Sequence, residues 1–578
     1  MLKIAPVVVV LGQKSVPVAR QIINVLPGAK LYGLANRTFD VDVSFTNFGE
    51  TLRELFTGGT PLIGICAAGI LIRTLAPILS NKRQEPPVLA VAEDGSAVVP
   101  LLGGLNGVND LARCIAEALS VKPAITTTGD VRFGIVLETP PPGYRLANPE
   151  QAKSFMSDLL AGATVKLDGT APWLSHSALP IGPQGELTIQ ITERAIIPQP
   201  NCLVYHPTNM VIGISEMAEN EDEAVALVQQ LLADNKLASA SVAGVFAVLT
   251  ASADPRIHAV AKAFGVPARF FSATDLEGLL SGGYTVAQAA ALAAAGTSSE
   301  LVVSPFSQIA IAIAQEPIDP NTLGQPRGRL AVVGTGPGGS QWISPEVQEI
   351  LKSATDLVGY KTYLDLVGSL SNGKQRHESD NREEITRAKV ALDLAAEGRS
   401  VAVVSSGDPG IYAMAAAIFE VLDRDAKPEW HNIDIQVAPG ISAMQAAAAV
   451  IGAPLGHDFC AISLSDILKP WSVIEQRITT AAQGDFVIAF YNPVSKERTW
   501  QLAQARDILL RWRSPNTPVV LARNLGRPGH TVKAIALEEL VPEAADMRTI
   551  ILVGSSQTRT IHRDDGGVWV YTPRRYGK

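Results

Sequence analysis

Residues Leu330 to Leu351 read LAVVGTGPGGSQWISPEVQEIL, and the spacing between their glycines and their helix start decides how the C-terminal part of the chain folds. LAVVG is a short β-branched run of the kind that forms a buried strand. The next six residues, Gly334 to Gly339, satisfy G-x-G-x-x-G, and Asp356 follows about 20 residues on, as a dinucleotide-binding fold would require. That fold also needs its third glycine to open the helix whose N-terminal amides hold a pyrophosphate. Here the helix start comes later. Ser344 is an N-cap residue type, Pro345 suits the first helical position, and Val347, Ile350, Leu351 and Ala354 recur at helical spacing. Ser340 to Ser344 therefore separate the glycines from the helix. GTGPG reads as a tight loop that lets a ligand approach the backbone. An NAD-dependent oxidoreductase using GTGPGG and Asp356 is the competing reading.

Two further loops downstream share this design. VAVVSSGDPG, Val401 to Gly410, is a buried strand running into a turn whose Gly and Pro free the amides and set the chain direction. VAPGISAMQAAAA, Val437 to Ala449, is a strand, a Pro-Gly turn and a helix entered through Ser442. Three glycine-bearing turns at the carboxyl ends of strands point to one shared site. Around them, LAVVG, DLVG, VAVVSSG and DIQVAPG alternate with helical patterns, which predicts right-handed β-α-β units on a parallel sheet. DFVIAFYNP, PVVLARN and TIILVGSS continue that series after Pro439 and Gly440, so two α/β lobes with a cleft between them are expected.

At 578 residues the chain exceeds one hydrophobic core and suggests several domains. EPIDPNTLGQPRGR, Glu316 to Arg329, is the clearest linker, and TPPPGY, Thr139 to Tyr144, is a softer boundary. The expected division is 1–140, a small linking domain 141–208, a third domain 209–316, a linker 317–328 and the C-terminal enzyme 329–578. With 47% hydrophobic and 18% charged residues, 48 Gly and 38 Pro, the composition suits an α/β multidomain protein with buried parallel strands. The net charge of −8 and the absence of a basic stripe argue against nucleic acid as a partner. The opening MLKIAPVVVVLGQKS lacks a cleavage site and reads as a first strand. No apolar run approaches the roughly 18 residues that span a bilayer, so a cytoplasmic protein is expected. Cys66, Cys114, Cys202 and Cys460 are scattered without a CxxC pair, and no metal site is expected.

The ordered set GTGPGG, LVGYKTYLDL, SSGDPGIYAM, PGISAMQAAAAVIGAPLGHDF, ISLSDILKPW, FYNPVSKERTW and YTPRRYG resembles the tetrapyrrole methylases, and closely the precorrin-3B C(17)-methyltransferases of cobalamin biosynthesis, over residues 329 to 578. One departure is GPGG in the first loop, where the family more often has GPGD. The resemblance implies a two-lobed tetrapyrrole-methylase fold (class III), forming a homodimer that binds S-adenosyl-L-methionine in a cleft. Carried over by motif, Pro337, Ser406, Gly407, Asp408, Ile411, Ser442, Ala443 and Asn492 are the expected cofactor contacts, most of them through backbone groups. Methyl transfer from a sulfonium needs alignment and exclusion of water rather than a covalent nucleophile. The family reaction also contracts the macrocycle and expels C-20 as an acyl group, which requires proton movement. Lys361, Asp408, His457, Asp458, Asp466 and Lys469 are the acid/base candidates within the matched motifs. Arg498, Arg574 and Arg575 are candidates to pair with the acetate and propionate groups of a tetrapyrrole substrate.

Residues 1 to about 316 resemble, more weakly, the cobalt-precorrin-5A hydrolases, which open a lactone and release acetaldehyde. The matching stretches are GICAAGILIRTLAPIL, PPVLAVAEDGSAVVPLLGGLNGVNDLARCIAEAL, PAITTTGD, MVIGIS and AVAKAFGVPARFFSATDL. The departures concern chemistry. The family's Ser-Gly-His-x-Gly-Gly-Ala-Asn-Glu segment appears as GGLNGVND, which has no histidine and has Asp110 in place of the glutamate. Lys and Glu are missing around Ala253 to Val260, and SPFS, Ser304 to Ser307, lacks the usual Lys. The expectation is a hydrolase-like fold with little or no hydrolase activity. A bifunctional methyltransferase/hydrolase is the alternative, with Asp110 or Glu93 taking over the proton transfer.

Overall fold

The computed structural model describes residues 4–215, 220–303, 308–380, 383–425 and 427–575. SPFS and the end of YTPRRYG lie outside the described residues. The chain divides into two compact units, Met1–Ala247 with Pro255–Leu323, and Val248–Asp254 with Gly324–Lys578.

Among the described residues the first unit holds three sheets. The apolar opening run supplies Val7–Val10, which pairs in parallel with Lys30–Leu34 on one side and Leu62–Ile65 on the other in a six-stranded sheet. A four-stranded sheet spans residues 144–207 and a five-stranded sheet residues 210–313. All four residues of Val7–Val10 are buried, as expected of a strand covered on both faces.

The second unit has two lobes. In the first, β1 (Arg329–Gly334), β2 (Asp356–Tyr360), β3 (Gln375–Ser379), β4 (Ser400–Ser405) and β5 (Asp434–Ala438) form an all-parallel sheet in the order β3-β2-β4-β1-β5. One face is packed by Val347 and Leu351 of α1 (Pro345–Ser353). The other takes Ala388 and Leu392 of α2 (Glu384–Ala396) and Ile418 of α3 (Met414–Asp425). Each fully buried aliphatic side chain contributes roughly 1.5–3 kcal/mol.

The second lobe departs from the expected β-α-β series. Its strands β6 (Phe459–Ser463), β7 (Val487–Tyr491), β8 (Pro518–Arg523), β9 (Thr531–Ala536) and β10 (Thr549–Val553) take the order β6-β7-β10-β8-β9. Only β6 and β7 pair in parallel; the other three pairings are antiparallel. After β7 the chain crosses through one helix and returns by a hairpin, β8 to β9, a reversal that apolar runs alone do not signal. The hairpin strand Thr531–Ala536 has no fully buried residue and lies at the edge of the sheet, so it lacks the buried apolar run that marks a central strand in sequence.

Candidate active site

Three glycine turns leave the carboxyl ends of β1, β4 and β5 and meet in backbone contact. Gly336 and Gly407 exchange hydrogen bonds, N–H of Gly407 to O of Gly336 at 2.7 Å and the reverse at 3.2 Å. Both have φ of +73°, a conformation that costs little only for glycine. A methyl group on Gly440 would stand 2.2 Å from the Gly407 carbonyl oxygen, and one on Gly334 would stand 2.6 Å from the Gly440 nitrogen. The loops approach this closely because side chains are absent. Asp408 then fastens two of them: its Oδ1 accepts from Gly410 N–H at 2.8 Å and its Oδ2 from Gly440 N–H at 3.1 Å.

The first helix starts where the sequence placed it. Ser344 Oγ accepts from Val347 N–H at 3.3 Å, and a short 3-10 turn, Ser340–Trp342, intervenes between the glycines and α1. Asp356 occupies the amino end of β2, paired with Val401, whereas Gly334 pairs with Ser405 at the carboxyl end of β4. Four residues of strand, about 13 Å, separate that acid from the glycine loop. Its carboxylate is buried and bound by His377 at 2.8 Å and Arg399 at 2.9 Å, so it is not placed for a ribose. The dinucleotide reading therefore lacks both of its geometric requirements.

Ser442 caps helix α4 (Ala443–Ile451) through a reciprocal box with Gln445. The turns open on a cavity of about 720 Å³, within the ~300–1,000 Å³ usual for small-molecule sites. Pro337, Ser406, Gly407, Asp408, Ile411, Ser442, Ala443 and Asn492 all line it. Asn492 has φ of +50°, a region that asparagine tolerates better than most residues. Its carbonyl accepts from Arg498 Nε at 2.9 Å.

The polar candidates separate. Asp408 lines the cavity. Lys361 is exposed and outside the lining, although its neighbours Tyr360 and Thr362 belong to it. His457 and Asp458 pair with each other, His457 Nδ1 accepting from Asp458 N–H at 2.8 Å. Asp466 accepts from Gln501 Nε2 at 2.9 Å. Lys469 is outside the lining, its ammonium 5.8 Å from the centre of the ring of Tyr412, which belongs to it, and burial followed by the nearby Arg477 lowers its pKa. Arg498 is buried and committed to Asn492, to Ser465 Oγ at 3.3 Å and to Met547; it shapes the wall rather than reaching for a ligand. Arg574 and Arg575 are exposed and outside the lining.

Several lining residues had no part in the sequence reading. Arg527 donates from Nε to the Pro337 carbonyl and from Nη2 to Ser406 Oγ, both at 2.9 Å, so one guanidinium ties two cofactor-loop candidates to the second lobe. Its signal was available: Gly526-Arg527-Pro528-Gly529 is a fourth glycine turn after a strand. Arg387, Glu384 and Arg548 also line the cavity, and no motif pointed to them. The Ser405 hydroxyl at the wall is buried without a hydrogen-bond partner, which leaves it for a ligand to satisfy.

Residues 329–541 match the tetrapyrrole (corrin/porphyrin) methylases, and residues 50–130 match the N-terminal region of cobalamin synthesis G proteins. A precorrin-3B C(17)-methyltransferase of Sinorhizobium sp is 49% identical over 249 residues, which are 43% of this chain and 97% of that protein. The chain belongs to the tetrapyrrole methylases. A probable cobalt-factor III C(17)-methyltransferase of Salmonella typhimurium is 41% identical over 247 residues, 43% of this chain and 99% of that protein. The cobalamin biosynthesis protein CobIJ of Mycobacterium tuberculosis is 49% identical over 253 residues, 43% of this chain but 48% of its own length. The chain thus spans about half the length of the CobIJ relatives. The methylase unit is joined here to a cobalamin synthesis G-like region, and among the described residues no helix is long and apolar enough to cross a membrane.

In that N-terminal unit two of the segments that resemble the hydrolases come together. Asn109, from GGLNGVND, donates to Asp130, from TTTGD, at 2.8 Å and to Thr127 Oγ1 at 3.3 Å, and Arg113 pairs with both Asp130 and Asp110. Asn109, Asp110, Arg113 and Asp130 border a second cavity of about 720 Å³. Gly104 of the same segment borders that cavity too, and Leu105 lines a neighbouring space of about 330 Å³.

Proposed function

We propose that the methylase unit transfers a methyl group from S-adenosyl-L-methionine to C-17 of a corrin precursor, precorrin-3B or its cobalt form, with contraction of the ring. The observation that carries this reading is the convergence of the three glycine turns on one cavity bordered by every motif-derived cofactor contact. The cavity fits such a cofactor in kind: the three glycine turns form part of its wall, and Ser405 offers an unpaired buried hydroxyl. A sulfonium-bound methyl is the group the cofactor supplies. Pro337, Gly407 and Ala443 give it backbone surfaces, Asp408 and Arg527 fix the distances between loops, and Tyr491 and Asn492 close the side toward the second lobe. Rigid alignment of donor and acceptor carbon accounts for much of the rate in such displacements. The relatives differ in name over cobalt, and both forms belong to the proposal. Incubating the purified chain with S-adenosylmethionine and each form, then reading product mass, tests it. Gain of one methyl with either form supports it, and unchanged mass with both, from a chain that binds S-adenosylhomocysteine, rejects the substrate.

The methylase unit is also proposed to be a homodimer, for which light scattering on the eluting protein is the check. The N-terminal unit is proposed to keep a hydrolase-like fold with little lactone hydrolysis. The GGLNGVND segment has no histidine to move a proton, Asp110 is paired with Arg113 at the surface, and a positioned acid or base typically contributes about 10²–10⁴-fold. Acetaldehyde release from cobalt-precorrin-5A by the full chain should stay at background. Turnover matching a dedicated hydrolase would instead establish the bifunctional alternative.

A further inference from the structure

The loop that carries Lys469 exposes apolar surface outside the cavity lining. Between β6 and helix α5 (Trp471–Gln483) the chain forms a loop, Leu464 to Pro470. Its ends are held: Asp466 accepts from Gln501 at 2.9 Å, and Trp471 packs edge-on against Trp500 with ring centres 5.0 Å apart. Between these anchors Ile467 is 70% exposed and Leu468 91% exposed. Large apolar side chains that are held out in water next to one another on a loop with anchored ends are the start of a binding surface.

The loop reaches the cavity through Lys469, whose ammonium sits over the ring of Tyr412. Tyr412 lines the cavity, is 49% exposed, and is held in place by its hydroxyl, which donates to the Ala461 carbonyl at 2.8 Å. Arg477 of α5 lies close enough to act electrostatically on both Lys469 and Tyr412. Two cations thus stand together beside an aromatic ring and two exposed aliphatic side chains. A macrocycle with an apolar face and carboxylates at its edge matches both features at once, since carboxylates relieve the mutual repulsion of neighbouring cations.

We propose that Ile467, Leu468 and Tyr412 form a platform for the face of the tetrapyrrole macrocycle, with Lys469 and Arg477 taking its edge carboxylates. This rests on the tetrapyrrole reading above, and it assigns Lys469 to substrate binding rather than to proton transfer.

Steady-state kinetics on the full chain, with precorrin-3B or its cobalt form and S-adenosylmethionine, test the platform. Leu468→Ser, Lys469→Gln and Arg477→Gln should each raise the KM for the tetrapyrrole about tenfold, while the KM for S-adenosylmethionine stays within about twofold. Lys469→Arg should behave like the parent protein, because arginine keeps the charge but does not release a proton near neutral pH. Leu468 is exposed, so its variant should fold and decides the matter even if a charge variant does not. Unchanged tetrapyrrole KM in the folded variants overturns the platform. Loss in kcat shared by Lys469→Gln and Lys469→Arg overturns it in favour of proton transfer. A parent chain that turns over neither tetrapyrrole overturns the substrate reading and the platform with it, whereas an active parent with unaffected variants overturns the platform alone.

Discussion

Asp408 uses each carboxylate oxygen to hold a different loop amide, so its first task is to position the site rather than to move a proton. Hydrogen bonds to a charged group contribute about 1.5–3 kcal/mol each. Asp408→Ala should therefore weaken S-adenosylhomocysteine binding by tenfold or more in calorimetry, with turnover falling in step. His176→Ala, at an exposed position in the first unit, should leave both unchanged; equal effects would contradict the role of Asp408. Asp356 makes a second test at this scale. Burial raises its pKa, but hydrogen bonds from Thr355, His377 and Arg399 with the Arg399 charge outweigh that and leave it below the usual carboxylate value. A carboxylate whose pKa is depressed by folding adds stability that is fully present above its unfolded pKa, about 3.9, and is lost as pH falls through the folded value. Asp356→Asn should cost about 1.5–3 kcal/mol near neutrality and flatten the acid limb of Tm against pH. A variant with the parent's acid limb would show that another group controls it.

At the scale of elements, the glycine turns are legible because each follows a strand and precedes a helix signal, and each signal is a local property of chain order. Ser344 with Pro345, and Ser442 with Gln445, are caps that their own sequences specify. The contact between the turns is different in kind, since it joins Gly334, Gly407 and Gly440 across more than a hundred residues. Gly440→Ala would place a methyl 2.2 Å from the Gly407 carbonyl oxygen, and backbone on both sides leaves nothing free to yield. Overpacking of this kind costs about 1–3 kcal/mol, so cofactor binding should disappear while circular dichroism stays close to the parent's. Gly368→Ala, where the added carbon meets no atom within 4 Å but φ is +60°, serves as the control for backbone strain alone and should keep binding. The second lobe was less legible than the first. Its antiparallel pairings depend on which strands find each other, and an apolar run such as TIILVG carries no direction.

For the whole molecule, the division at Leu323 and Gly324 falls within the Pro- and Gly-rich stretch, and each side has its own cores. Residues 325–578 expressed alone should fold, bind S-adenosylhomocysteine and methylate. An inactive or insoluble fragment beside an active full chain would show that Val248–Asp254, which cluster with the second unit, or the rest of the first unit is required. The amino-acid order by itself determined the parallel first lobe, the helix caps, the rejection of a dinucleotide loop and the motif set shared with tetrapyrrole methylases. Each of these is written in local spacing or in long contiguous matches. Only the tertiary structure decided which charged residues of those motifs meet a cavity. It sent Arg498 into the interior, paired His457 with Asp458, tied Arg527 of a fourth glycine turn to the loops of the first lobe, and brought Arg387 and Arg548 to the wall from segments that carry no motif. The physical reason is that a side chain's partners are set by strand order and lobe packing, and sequence spacing records neither.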